Sequence, residues 1–190
     1  MKSYLFLMTS FLVILLTACA KPSTSATETW LTKETKVNLP SPILGQTYHD
    51  QQLLTFNYNG QQNSLIVLVD VNNDTLNVVG LSTLGIRLFK IEYHDNVITT
   101  EQYIFIKELP PASQILSDIM LSIYPIQTWL AVLPAKWQLV DDKYHRKLLN
   151  DKHEIVIDIT YQKPLSSQIR KPSNIEHKVF NYQIAIESME

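Results

Sequence analysis

The sequence predicts an α+β fold: a curved antiparallel sheet with two short helices packed on its concave face. Three observations carry this. Apolar runs punctuated by Asn, Asp and Gly fill the stretch from Gln52 to Phe105. Two proline-bounded apolar helices follow, and after them the strand pattern returns. Strands, helices, strands is the order of a fold whose helices gather on one side of an antiparallel sheet. A meander of about nine strands tends to curl, and a helix pair that is oily on several sides fills the hollow.

The first segment stands apart from this domain. Lys2 precedes an apolar run, Tyr4 to Leu16, broken only by Thr9 and Ser10, and Thr17, Ala18 and Cys19 follow. Basic, apolar, then small is the layout of a secretory signal, and the run falls short of the roughly 20 residues a membrane-spanning helix needs. Residues 1–18 are therefore expected to be a signal peptide. Leu16-Thr17-Ala18 before Cys19 resembles the lipobox of bacterial lipoproteins, which implies cleavage before Cys19 and its acylation. Cys19 is the only cysteine, so no intrachain disulfide braces the fold, and a lone thiol is otherwise awkward in an exported chain. Each buried methylene contributes about 0.8 kcal/mol and one acyl chain holds only marginally, so two or three on one residue anchor durably. Ala20, where an inner-membrane retention signal has aspartate, points to the outer membrane and its periplasmic face. Residues 19–29, small, polar and interrupted by Pro22, read as the lipidated cysteine and a flexible tether; ten extended residues reach at most about 35 Å. Residues 30–190 read as one domain.

Within that domain, Asn59-Gly60 is a hairpin signal because both residues tolerate positive φ. Asn72 to Asp74 and His94 to Asn96 mark further turns, which gives five strands between Gln52 and Phe105. Pro110 and Pro111 suit a helix start, where the missing N–H costs nothing. Ile115, Leu116, Ile119, Met120 and Ile123 then recur at helical spacing. Pro125 ends that helix and opens the next, IQTWLAVL, which Pro134 stops. Strands resume at Trp137–Asp142, Tyr144–Asn150 and His153–Tyr161, where Ile155, Ile157, Ile159 and Tyr161 alternate with more polar neighbours. Lys163 to Asn174 reads as a loop, and Glu176–Ser188 closes the sheet with Tyr182, Ile184 and Ile186 on one face.

Chemistry-bearing motifs are weak. GLSTLG, Gly80 to Gly85, approaches the nucleophile elbow of serine hydrolases, but its second glycine arrives one residue late and strands flank both sides. Ser82 is thus expected in a turn. DVNND, Asp70 to Asp74, begins like a calcium loop but has Thr75 where glycine belongs and Leu81 where the closing glutamate belongs. His49, His94, His145, His153 and His177 show no metal-binding spacing and read as surface or strand-end residues. Asp141 and Asp142 read as a strand-end turn and Asp118 as the wet edge of a helix. Formal charge is −2, with no basic stripe for nucleic acid, and no metal, cofactor or catalytic residue is expected.

The stretches VGLSTLGIRLFKIEY, LPPASQILSDIMLSIYPIQTWLAVLPAKWQL, RKLLNDKHEIVIDITY and VFNYQIAIES are similar to a bacterial lipoprotein family of unknown function encoded in aryl polyene biosynthesis clusters. The resemblance spans roughly Ile43 to Ser188. Its most specific pieces are Gly80-Leu81 with Gly85, the aromatic-proline pair Tyr124-Pro125, and Trp137 after a Leu-Pro. Tyr124 departs from the tryptophan common in relatives, so its hydroxyl needs a partner if buried; Asn96 departs from an expected glycine but tolerates the same turn. That family looks like a relative of the lipoprotein receptor LolB and its carrier LolA, which implies a half-open barrel whose helices close an apolar cavity for acyl chains. The implied function is lipid or acyl binding and transfer to the membrane, with no enzyme activity. Ile115, Ile119, Met120 and Trp129, facing Phe89, Ile91, Ile157 and Ile159, are the expected wall. The implied partners are the membrane through the lipid anchor, a hydrophobic ligand such as an aryl polyene lipid, and a periplasmic carrier or membrane transporter, with the protein a monomer. The alternative is a packed accessory lipoprotein that docks on a transporter or synthase complex.

Overall fold

The structure, a computed structural model, describes residues 22–58, 61–104, 110–163 and 169–189. Cys19, residues 1–18 and the Asn59-Gly60 turn lie outside the described residues. In chain order the elements are β1 (Ser23–Ser25), β2 (Glu28–Trp30), β3 (Lys36–Asn38), β4 (Tyr48–Tyr58), β5 (Gln61–Asn72), β6 (Thr75–Leu81), β7 (Arg87–His94) and β8 (Val97–Gln102). Helices α1 (Ala112–Ile123) and α2 (Ile126–Leu130) follow, then β9 (Gln138–Asp141), β10 (His145–Leu149), β11 (Ile155–Tyr161), β12 (Pro172–His177) and β13 (Tyr182–Ser188).

Eleven strands form one antiparallel sheet in the order β1-β8-β7-β6-β5-β4-β13-β12-β11-β10-β9, and β2 pairs with β3 in a separate hairpin. The order never returns on itself, so the sheet is not closed into a barrel. Its curvature follows from what α1 touches. The helix meets both β8 and β12, which stand six strand spacings apart. Laid flat, they would be separated by roughly 29 Å at about 4.8 Å per step, while a helix with its side chains is only about 10–12 Å across. The sheet therefore bends around α1, and the β2–β3 hairpin meets the helix as well.

Alternation decides which side faces inward. On β6, Leu76, Val78 and Gly80 are buried, and on β7, Phe89, Ile91 and Tyr93. Gly80 lies directly opposite Phe89, and a Cβ at Gly80 would sit 2.2 Å from Phe89 Cε1. The aromatic ring occupies the space that any other residue's side chain would need. Gly80→Ala is expected to cost about 1–3 kcal/mol, the usual penalty for forcing extra volume into a filled core, read as a lower urea midpoint.

Several expectations need correction. Pro172–Asn174, read as the end of a loop, open strand β12, which is paired on both sides, and the expected closing strand Glu176–Ser188 is divided between the end of β12 and β13. Pro172 occupies the first strand position, where a missing donor is tolerated. The second helix stops at Leu130, because Val132 and Leu133 both donate to the Trp129 carbonyl in a terminal turn. Ser23–Ser25, within the expected tether, pairs with Ile98–Thr100. The five-strand meander stands, and its turns use positive φ at Asn73, Asp95 and Asn96.

Candidate functional site

Helix α1 occupies the hollow of the sheet. Nine of its 12 residues are buried, and five of those are polar: Ser113, Gln114, Ser117, Asp118 and Ser122. A stripe of apolar residues would have sufficed for one-sided packing, so the wrapped sheet has enclosed the helix's polar side too. Asp118, expected at a wet edge, is buried. Its carboxylate accepts the Tyr182 hydroxyl at 2.7 Å and the Gln114 amide at 3.4 Å. Gln114 in turn accepts the Thr29 hydroxyl at 3.1 Å, which fastens β2 to the helix. Burial pushes Asp118 up to about 7, against the pull of those two hydrogen bonds. The Tyr182 hydroxyl is raised by burial and by Asp118.

The other end of α1 is held by charge. Arg146 on β10 donates through Nη1 to the carbonyls of Leu121 and Tyr124, at 2.8 and 2.6 Å. These are C-terminal groups that a helix leaves without partners, and a cation there also complements the helix dipole. The same guanidinium grips Asp141 through Nε and Nη2 at 2.8 and 2.9 Å. Arg170 reaches Asp141 at 2.6 Å and lies 3.7 Å from the centre of the Tyr161 ring. Tyr161 donates to the Ser122 carbonyl at 2.7 Å. Tyr124 is buried, and its hydroxyl finds its partner in the Pro42 carbonyl. Asp141, expected in a plain turn, is thus the counter-ion of two buried arginines.

Between these polar ends the helix meets the sheet through apolar side chains. A cavity of about 20 Å³ lies between α1 and strands β4, β5, β12 and β13, lined by Tyr48, Gln52, Val69, Ile119, Ile175 and Ile186 among others. That is space for about one water, whereas a cavity that takes benzene is about 150 Å³. Of the expected wall, only Ile119 touches this cavity. Met120, Trp129, Phe89, Ile91, Ile157 and Ile159 belong to the buried apolar core, and Ile115 is packed against it, half-buried. Trp129 Nε1, Ser117 Oγ and His177 Nε2 are buried with no hydrogen-bond partner among the described residues. His177, read as a surface or strand-end residue, is the last residue of β12 and lies away from the surface. It is fully buried, with the Phe180 and Tyr182 rings centred 4.5 and 5.1 Å away, and burial pushes it down to about 4.

The weaker motifs resolve as local structure. Ser82 Oγ accepts the Ile86 amide at 3.1 Å within the β6–β7 turn. Asp70 pairs with His49 at 2.7 Å. Asp74, His94 and Asp95 bring donor atoms within 4.8 Å of one another, on turns open to solvent. Asp50, missed from sequence, is buried beside Lys171 (2.9 Å), Gln52 (2.7 Å), Tyr48 (3.1 Å) and Ser188. Burial works to raise its carboxyl, but hydrogen bonds from Ser188, Lys171 and Gln52 hold it below the usual range. Lys171 also donates to Ser188 at 2.8 Å. This group clasps β4, β13 and the segment that leads into β12.

Residues 49–190 match the model of a family described as a protein of unknown function, DUF3261. No curated protein matches the chain.

Proposed function

The chain belongs to the DUF3261 family of proteins of unknown function, and from that premise we propose that it is an outer-membrane lipoprotein, anchored at Cys19 and facing the periplasm, that accepts an apolar acyl-type ligand in exchange for helix α1. The observation that supports this is the helix itself. It fills the hollow of a curled sheet, yet five of its buried residues are polar. Buried polar groups weaken a packed element unless every one is paired, and elements that move are drawn from the less stable parts of a fold. With α1 displaced, the inner face would present Phe89, Ile91, Ile157 and Ile159 to a ligand. The half-open barrel of LolA and LolB is the arrangement this reading assumes, with an aryl polyene lipid or a lipoprotein's acyl chains as ligand and a periplasmic carrier or membrane transporter as partner.

The energetics favour exchange over storage. Burying a sixteen-carbon chain stabilises by about 12 kcal/mol at about 0.8 kcal/mol per methylene. A bilayer offers the same, so the returning helix needs to add little to bias release. The test is titration of the protein with an environment-sensitive fatty acid probe above pH 7. Saturable binding is expected, weakened at least about tenfold in Asp118→Asn. The neutral side chain seats α1 more firmly, and each 1.4 kcal/mol in favour of the closed form costs about a factor of ten in apparent affinity. Absence of saturable binding favours the second reading, a packed accessory lipoprotein docking on a transporter or synthase complex, which the small size of the cavity supports.

A further inference from the structure

The GLSTLG segment, which no catalytic role absorbs, forms a pinned turn. Ser82 N–H donates to the Ile86 carbonyl and Gly85 N–H to the Ser82 carbonyl, both at 2.8 Å. The Ser82 hydroxyl accepts the Ile86 amide, and Gly85 supplies a φ of +80°. What this holds out is apolar: Leu84 is 86% exposed and Ile86 53%. Tyr103 and Ile104, both exposed, lie at the same end of the sheet, because the backbone N–H groups of both reach the Leu88 carbonyl just after the turn. The Arg87 guanidinium lies 5.5 Å from the Tyr103 ring centre. Exposed leucine and isoleucine beside an aromatic and an arginine is the composition of a surface that meets lipid, with side chains entering the acyl boundary and the cation at headgroup level.

The register of β1 says which end of the sheet the chain enters from. Ser23 is opposite Thr100 and Ser25 opposite Ile98. Going upstream from Ser23 therefore runs alongside the direction that leads from Thr100 to Tyr103 and Ile104. Cys19 is four residues upstream of Ser23, a reach of at most about 14 Å. The opposite end of the same strands carries Asp74, Asp95 and Asn96, with Val97 the exposed apolar side chain among them.

We propose that the sheet end formed by the Ser82–Ile86 turn and Tyr103–Ile104 is a bilayer-seating face, against which β1 draws the lipid-anchored N-terminus. The inference rests on the Cys19 anchor of the reading above but not on any ligand. It replaces a domain held off the membrane on a long tether with one lying against the headgroups. An acyl anchor and an apolar patch are the paired signals that stable attachment needs.

The test uses the acylated protein, purified from membranes and reconstituted into vesicles of phosphatidylethanolamine and phosphatidylglycerol. Leu84→Cys and Asp95→Cys variants are labelled with a thiol-reactive, environment-sensitive dye, and intact mass reports acylation of Cys19 separately. A quencher embedded in the acyl region is expected to reduce emission at position 84 at least about twofold more than at position 95. Equal quenching at both, or shielding of position 84 that requires a second protein, overturns the seating face while leaving the anchor intact. A mass without acyl chains overturns the anchor and the seating together.

Discussion

Asp118→Asn is expected to turn a nearly flat dependence of stability on pH, between about 4 and 7, into one that rises across that range. Two buried groups oppose each other there. Asp118 holds its proton to about 7 in the folded protein against an ordinary 3.8. Between those values the unfolded chain loses the proton while the folded chain keeps it, so stability falls as pH rises and levels off above 7. The ceiling on that loss is roughly 4 kcal/mol at about 1.36 kcal/mol per unit. His177 runs the other way. Its folded value is about 4 against 6.5, so the unfolded chain binds the extra proton and stability rises with pH until about 6.5, by roughly 3 kcal/mol at most. Removing the carboxyl leaves the histidine's rise uncovered, while His177→Gln is expected to leave a fall. Urea unfolding at intervals across the range reads both, and variants that keep the parent's profile would refute the assignment.

Arg146→Ala is expected to lower stability by about 3–5 kcal/mol, the usual cost of removing one member of a buried ion pair. Arg146 and Asp141 are both well buried, so solvent screens little of this. Three losses coincide: the two-point grip on Asp141, the donor for the Leu121 carbonyl and the donor for the Tyr124 carbonyl. At about 2–4 °C per kcal/mol for a chain of this size, the melting temperature is expected to drop by roughly 10 °C. Arg146→Lys recovers little, since one ammonium lacks the planar fork that spans both the carboxylate and the helix end. Amide exchange in the last turn of α1 is expected to quicken with it. A drop smaller than about 2 °C would mean that α1 is held by its apolar contacts alone.

The parts of this architecture that were legible share one property: their signal lies in side chains close together in sequence. Asn72 to Asp74 and Asp95-Asn96 announce turns, and Ile115, Ile119 and Ile123 announce a helix. The opening of strand β12 was read as loop because only Ile175 among its middle residues is both apolar and buried, while Ser173, Asn174 and Glu176 are polar and less enclosed. Strand β1, Ser-Thr-Ser, is exposed throughout and joined to β8 through its backbone, which composition does not record. Asp118 looks like the wet edge of an amphipathic helix. Its burial is decided by Tyr182, 64 residues away. The grip of Arg146 on the end of α1 likewise joins segments 22 and 25 residues apart. The core residues of the expected wall were readable as apolar, but whether their meeting leaves space is settled by volume, which no spacing rule encodes.

The position of the last strand has a consequence for how the molecule is made. β13 is the last strand described in chain order, yet it stands inside the sheet, between β4 and β12. Among the described residues, the N-terminal and C-terminal halves of the sheet are joined only through it, by pairing of Gln183–Ser188 with Gln52–Asn57 on one side and of Tyr182–Ala185 with Asn174–His177 on the other. Until β13 has been synthesised, the two halves have no shared strand, and topologies with such distant pairings form slowly. The two half-sheets therefore cannot join before β13 emerges, and loss of Gln183–Ser188 would leave them with raw edges where they should meet.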